Sequence, residues 1–270
     1  VSGLLFSLKT DWDLFLSKKL PRLIIPYMAF SIFAMGLKMV FSSYTHSGAP
    51  SIGEAIVRLF TGGNYWFLYA LFVMMTLCRL LNHKALIVIS ALIAICIEVA
   101  IDIQSSIINR ICHYIPYFAI GLMSNDFYGN WRKMSDKKIF GFMMCGFVLY
   151  LFALYPTFHF KHSVLLSAYL IPLFGCIGYW GLGTMISRIS LKTKYVTFFG
   201  KYSLQYYLNH IPIMLLCYYA VKFIALQNAY VQWLAVFVLG ICISSIMLWV
   251  EMKIKPLAYL SGLPKGKKYK

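Results

Sequence analysis

What constrains this chain most is a repeated pattern. Apolar stretches of near-bilayer length follow one another from Leu23 to Val250, parted only by short polar breaks. Crossing about 30 Å of hydrocarbon at about 1.5 Å per residue takes roughly 20 residues of helix. The runs near 23–42, 65–81, 85–101, 111–124, 139–157, 163–187, 202–221 and 231–250 therefore read as eight membrane crossings. The expected fold is all-α, a polytopic integral membrane bundle in which residues 1–270 form a single transmembrane domain. Composition excludes a soluble domain. Hydrophobic residues make up 61 % and charged residues 12 %, against about half and about a quarter in soluble proteins.

A net charge of +17 invites a nucleic-acid reading until the charges are placed. They sit between the apolar runs, so nucleic acid is not an expected partner. Lys and Arg stay on the cytoplasmic side of a membrane. With the N-terminus inside, the inner segments hold the cations of Lys9 to Arg22, Arg79 with Lys84, Arg132 to Lys138, Arg188 to Lys201, and Lys253 to Lys270. The outer segments hold only Arg58, Arg110, Lys161 and Lys222. Lys38 falls within the first span, near its outer end, where it is expected to snorkel. Both termini are then cytoplasmic. The tail Pro264 to Lys270 reads as a topogenic basic segment attracted to anionic membrane lipids, at about 1 kcal/mol per charge near the surface.

The opening Val1 to Phe6 has no basic start, central apolar run or small-residue cleavage site, so it is no signal peptide. It reads as the last turns of an earlier span, and the chain is expected to be a fragment truncated at its N-terminus. The seven cysteines lie singly in the apolar runs, with no paired spacing and no His at ligand distance. They read as apolar filler, and no metal site is expected.

Polar groups in spans need a reason. Lys19 and Arg22, three apart at the mouth of the first span, could grip a phosphate-rich ligand, or could serve only as the inside-positive signal. Trp66 and Tyr69 share a helix face on which a sugar ring could stack, or belong to an interfacial aromatic belt. Glu98 and Asp102, at i and i+4, could accept hydrogen bonds from hydroxyls, or form an ion pair with Arg110. In Ser203 to Pro212, the side chains of Ser203, Tyr206 or Tyr207, and His210 share a face. Pro212 leaves the carbonyl of Leu208 without its helical donor, and His210 is the expected repair. Gly175, Gly178 and Gly181 form a smooth stripe suited to close helix packing. His113 and Glu251, at span ends, carry little signal.

Taken in order, VSGLLF, KKLPRLIIPY, YWFLYALF, YIPYFAIGLM and FFGKYSLQYYLNHIPI make the chain resemble membrane-bound acyltransferase family 3, bacterial enzymes that acylate sugars of surface and secreted glycans. The resemblance runs from Val1 to about Leu260. It implies a ten-helix fold of the bacterial cytoplasmic membrane, of which the eight spans here are the third to tenth. It implies transfer of an acyl group, usually acetyl, from acyl-CoA to a hydroxyl of a polysaccharide or lipid-linked sugar, with no bound cofactor. The family's paired basic residues for the donor fall on Lys19 and Arg22, the first a point charge where the family has an Arg fork. The family's catalytic His belongs to a first helix that this chain lacks. The resemblance thus leaves the catalytic base unassigned here and implies that the chain as given is inactive. On this reading Lys19, Arg22 and Tyr206 bind the donor. His210 lines the pocket, and Trp66, Tyr69, Glu98 and Asp102 stand on the acceptor side. Rival readings are a transporter or glycan flippase, whose polar groups would mark a passage, and an inactive remnant of the enzyme. No internal repeat and no midplane cluster of polar groups favour the passage.

Overall fold

Among the described residues, helix runs through each of the eight predicted apolar runs, because long runs of Leu, Ile, Phe and Met satisfy their own backbones within the segment. The computed structural model describes residues 2–4, 6–40, 51–100, 107–159, 169–188, 194–223 and 228–263. In chain order its helices are α1 (Trp12–Lys19), α2 (Ile25–Val40), α3 (Ile52–Phe60), α4 (Trp66–Leu81), α5 (Lys84–Ala100), α6 (Ile107–Met123) and α7 (Asn125–Lys133). There follow α8 (Asp136–His159), α9 (Ile171–Arg188), α10 (Lys194–Lys201), α11 (Ser203–Phe223), α12 (Ala229–Lys253) and α13 (Lys255–Leu260). Among the described residues there is no strand.

Among the described residues, four rods are long and apolar enough to cross a membrane: Trp12–Val40, Ile52–Leu81, Asp136–Tyr155 and Ala229–Lys253. The expectation of eight crossings is met to that extent. Of the others, α5 and α6 have 17 residues each, roughly 26 Å at about 1.5 Å per residue. In α11 the polar side chains of Gln205, Asn209 and His210 dilute the apolar run. Large apolar side chains face outward, Phe152 at 76 % and Trp233 at 78 % exposure. That is the surface expected where lipid is the solvent.

The chain divides into two compact units, one of Val1–Lys9 with Met74–Tyr195 and one of Thr10–Val73 with Val196–Lys270. In the first, α8 packs along α9 and α5 along α6. The glycine stripe of α9 is buried as its spacing predicts. A side-chain carbon on Gly146 would stand 2.5 Å from the backbone nitrogen of Gly178, so the two helices touch through backbone at that crossing. Helix α7 occupies a stretch expected to be a polar connection. Trp131 anchors it, buried between Phe142 and Trp180, with its indole N–H donating to Thr184 Oγ1 at 2.9 Å. In the second unit, α11 packs along α12, and α2 is contacted by α3, α11 and α13.

Candidate functional site

In the second unit the rod Trp12–Val40 is not uniformly α-helical. Leu20–Ile24 forms a π turn, in which the N–H of Ile25 bonds the carbonyl of Leu20. Prolines cause the change of register. Pro21 offers no N–H to Ser17, and Pro26 offers none to Arg22. Single π turns inside helices recur at functional positions. Lys19 ends α1 half-buried, and Arg22 stands exposed within the π turn. Lys19 lies within the electrostatic reach of both Arg22 and Lys18. Among the described residues neither Lys19 nor Arg22 has a carboxylate partner. A concentration of uncompensated positive charge is what an anionic donor needs.

The C-terminal end of α13 closes on this turn. Gly262 adopts φ +70°, and a side-chain carbon there would meet Pro26 Cγ at 2.9 Å and the Arg22 carbonyl oxygen at 3.1 Å. The N–H of Leu263 bonds Ala258 and that of Gly262 bonds Tyr259, the paired bonds of a Schellman cap. Gln205 of α11 donates to the carbonyl of Ser261 at 2.9 Å. One helical turn further, Asn209 donates to Glu251 Oε1 at 2.9 Å. Glu251 is 2 % exposed and has the Ser261 hydroxyl as a further polar neighbour. Gln205, Asn209 and Glu251 were not expected as functional residues. The i, i+4 spacing of Gln205 and Asn209 within an apolar run was the signal that could have found them.

The face of α11 expected to line the pocket is only partly free. The Tyr206 hydroxyl pairs with Ser245 Oγ at 2.8 Å, and its ring lies 5.0 Å from that of Phe199, so it is tied toward α12. His210 holds the carbonyl of Tyr207 through Nδ1. With that nitrogen as donor, Nε2 is left as the acceptor of the ring. The carbonyl freed by Pro212 is not repaired by His210. The fully buried Tyr65 hydroxyl donates to Leu208 at 2.9 Å. Tyr65 stands beside the predicted Trp66 and Tyr69, and its ring packs against Phe30 and Tyr207. Trp66 and Tyr69 are half-buried, against Phe67 and Tyr27 respectively.

In the first unit Glu98 is the centre of a polar and aromatic group. His113 Nδ1 lies 2.7 Å from Glu98 Oε1, and the Tyr169 hydroxyl donates to Glu98 Oε2. The rings of His113, Tyr117 and Tyr169 pack on one another at 5.6 to 6.0 Å. His113 keeps 26 % of its side-chain surface, enough for contact from outside, while Glu98 keeps 13 %. A carboxyl group held on both oxygens fixes the orientation of its histidine ring through Nδ1. Asp102, the predicted companion of Glu98, lies outside the described residues. His113, passed over as a span-end residue, is the partner that the structure supplies. Its spacing of 15 residues from Glu98 puts the two on different helices, α5 and α6, and leaves no local pattern.

Comparison with known proteins gives one match. The family model of an acyltransferase domain, acyltransferase family 3, covers residues 1–249. A search of curated proteins and a search of solved structures each found no match.

Proposed function

The chain belongs to acyltransferase family 3, and from that premise we propose that it transfers an acyl group, acetyl in the simplest case, from acyl-CoA to a hydroxyl of a polysaccharide or lipid-linked sugar. The observation that carries this reading is the continuity of the match, which takes in every predicted site residue. The setting we propose is the bacterial cytoplasmic membrane, crossed eight times by this chain with both termini inside. The distribution of Lys and Arg supports that orientation.

The donor is assigned to the second unit. Arg22 and Lys19 take the nucleotide phosphates at the π turn, Arg by its planar fork and Lys as a point charge. Tyr206 and His210 stand on the same unit for the pantetheine arm. The acceptor side is assigned to Trp66 and Tyr69 as ring-stacking surfaces and to Glu98 with Asp102 as hydroxyl-binding carboxylates. In the reaction the sugar oxygen forms a bond to the thioester carbonyl carbon, the carbon–sulfur bond breaks, and coenzyme A leaves as thiolate. The hydroxyl proton goes to a general base, which the family resemblance leaves unassigned in this chain. The thioester supplies the driving force.

Titration of the purified chain with acetyl-CoA, followed by tryptophan fluorescence or calorimetry, tests the donor assignment. Lys19→Gln and Arg22→Gln should each weaken binding by about tenfold, the loss of one charge-assisted contact. Lys19→Arg should tighten it by restoring the fork. Donor affinity unchanged in all three would remove the role given to this pair.

A further inference from the structure

A second basic cleft, in the same unit but on other residues, is not used by this reading. Its lining is Ser31, Met35, Lys38, Arg58, Gly63 and Asn64. Ser31, Met35 and Lys38 succeed one another along one face of α2 at i, i+4 and i+7. Arg58 comes from the last turn of α3, a helix started by a capping box between Ser51 and Glu54. The Tyr27 hydroxyl donates to the carbonyl of Leu59, fastening the end of α3 beside α2. Gly63 lies directly against the Arg58 carbonyl, where a side-chain carbon would stand at 3.1 Å. The cleft is therefore built by fixed contacts on both walls.

Two features of it are unsatisfied. Lys38 and Arg58 face one space, and among the described residues neither has a carboxylate partner. Glu54, one turn before Arg58, is directed to the backbone N–H of Ser51. The hydroxyl of Ser31, only 6 % exposed, has the Tyr27 hydroxyl as a polar neighbour but meets no group at full hydrogen-bond geometry. Like charges converging at the edge of an apolar bundle repel, and a buried hydroxyl with unused bonding capacity adds to the cost. One tetrahedral oxyanion removes both costs. It neutralises the cations and accepts from the Arg fork, the Lys ammonium, the Asn64 amide and the Ser31 hydroxyl.

We propose that Lys38, Arg58, Ser31 and Asn64 form a binding site for a phosphate group. The enclosed space is about 20 Å³, room for about one water. One phosphate oxygen enters toward Ser31, and the others lie across the mouth between Lys38 and Arg58. Such a group comes either from a membrane lipid headgroup or from a soluble or glycan-borne phosphate. The site is independent of the acyl-transfer reading, since none of its residues belongs to the donor grip.

The test uses the full chain carrying Lys19→Gln and Arg22→Gln, so that the donor mouth adds nothing. Thermal unfolding in delipidated micelles is followed by tryptophan fluorescence against inorganic phosphate, with sodium chloride at matched ionic strength as the control. Saturable protection by phosphate alone supports the site and makes the source a free or glycan-borne group. Protection only on adding phosphatidylglycerol supports it with a lipid headgroup as source. In either case Lys38→Gln or Arg58→Gln should weaken the midpoint dependence on ligand by about tenfold. Arg58→Lys should retain part of it, which guards against a variant that merely misfolds. No saturable protection by either ligand overturns the proposal, as does protection undiminished in Lys38→Gln and Arg58→Gln. Loss of acetyl-CoA binding in Lys19→Gln leaves this outcome untouched, so the two readings fail separately.

Discussion

The hydroxyl of Tyr65 donates to the carbonyl of Leu208 at 2.9 Å, across 143 residues of sequence. The bond exists because Pro212 cannot supply the helical N–H that this carbonyl would otherwise take. Tyr65→Phe leaves a buried carbonyl oxygen bare and should cost about 1–3 kcal/mol of stability. Pro212→Ala restores a helical donor to Leu208, so Tyr65→Phe should cost clearly less in that background. Unfolding of the two single variants and the double in the same micelle measures the coupling. Strict additivity would mean that the two groups do not share the carbonyl.

Gly262 meets two demands at once, φ of +70° and a close approach to Pro26 and Arg22. Gly262→Ala should destabilise by about 1–2 kcal/mol from the backbone alone, with a further loss from the contact. Asn tolerates the left-handed region better than Ala, but its Cβ meets the same Pro26 ring. Gly262→Asn should therefore fall between wild type and Ala. Protease cleavage near Leu260 should rise in the same order. Equal stability of Gly262→Asn and wild type would show that the approach to Pro26 is not tight.

Much of this was legible in the residues. The apolar runs fall on helices because their period and length leave no other way to satisfy the backbone in lipid, and the glycine stripe of α9 packs as its spacing predicts. The interior connections were harder. Asn125–Lys133 is polar on average, yet one buried Trp131 makes it a docked helix. The partners of polar groups were illegible for a related reason. Local spacing identifies which side chains share a helix face, but Tyr65 with Leu208, Asn209 with Glu251, and Glu98 with His113 and Tyr169 are set by packing between helices. Proline announced that a carbonyl would be orphaned, and nothing in the nearby sequence said who would meet it.

Asn209 donates to Glu251 in a buried pair, with the Ser261 hydroxyl as a further polar neighbour of the carboxyl group. Asn209→Leu strips that hydrogen bond from a buried carboxyl group and should cost about 1–3 kcal/mol. Adding Glu251→Met removes the polar group that needed it, so the double variant should be more stable than Asn209→Leu alone. Chemical denaturation in micelles compares them. A double variant less stable than the single would mean that Ser261 alone is enough to hold Glu251 in the folded chain.

The carboxyl group at the centre of the first unit predicts a graded loss. Glu98 is held on one oxygen by His113 and on the other by the Tyr169 hydroxyl. Tyr169→Phe removes one of these bonds while the contact with His113 survives, and should cost about 0.5–1.5 kcal/mol of stability. Glu98→Leu removes the shared partner of both side chains at once. It leaves the Tyr169 hydroxyl and the His113 ring nitrogen without the group that held them, so it should cost clearly more than Tyr169→Phe. Chemical denaturation in micelles compares the two variants. Equal stability of Glu98→Leu and Tyr169→Phe would mean that the contact with His113 contributes nothing to the folded unit.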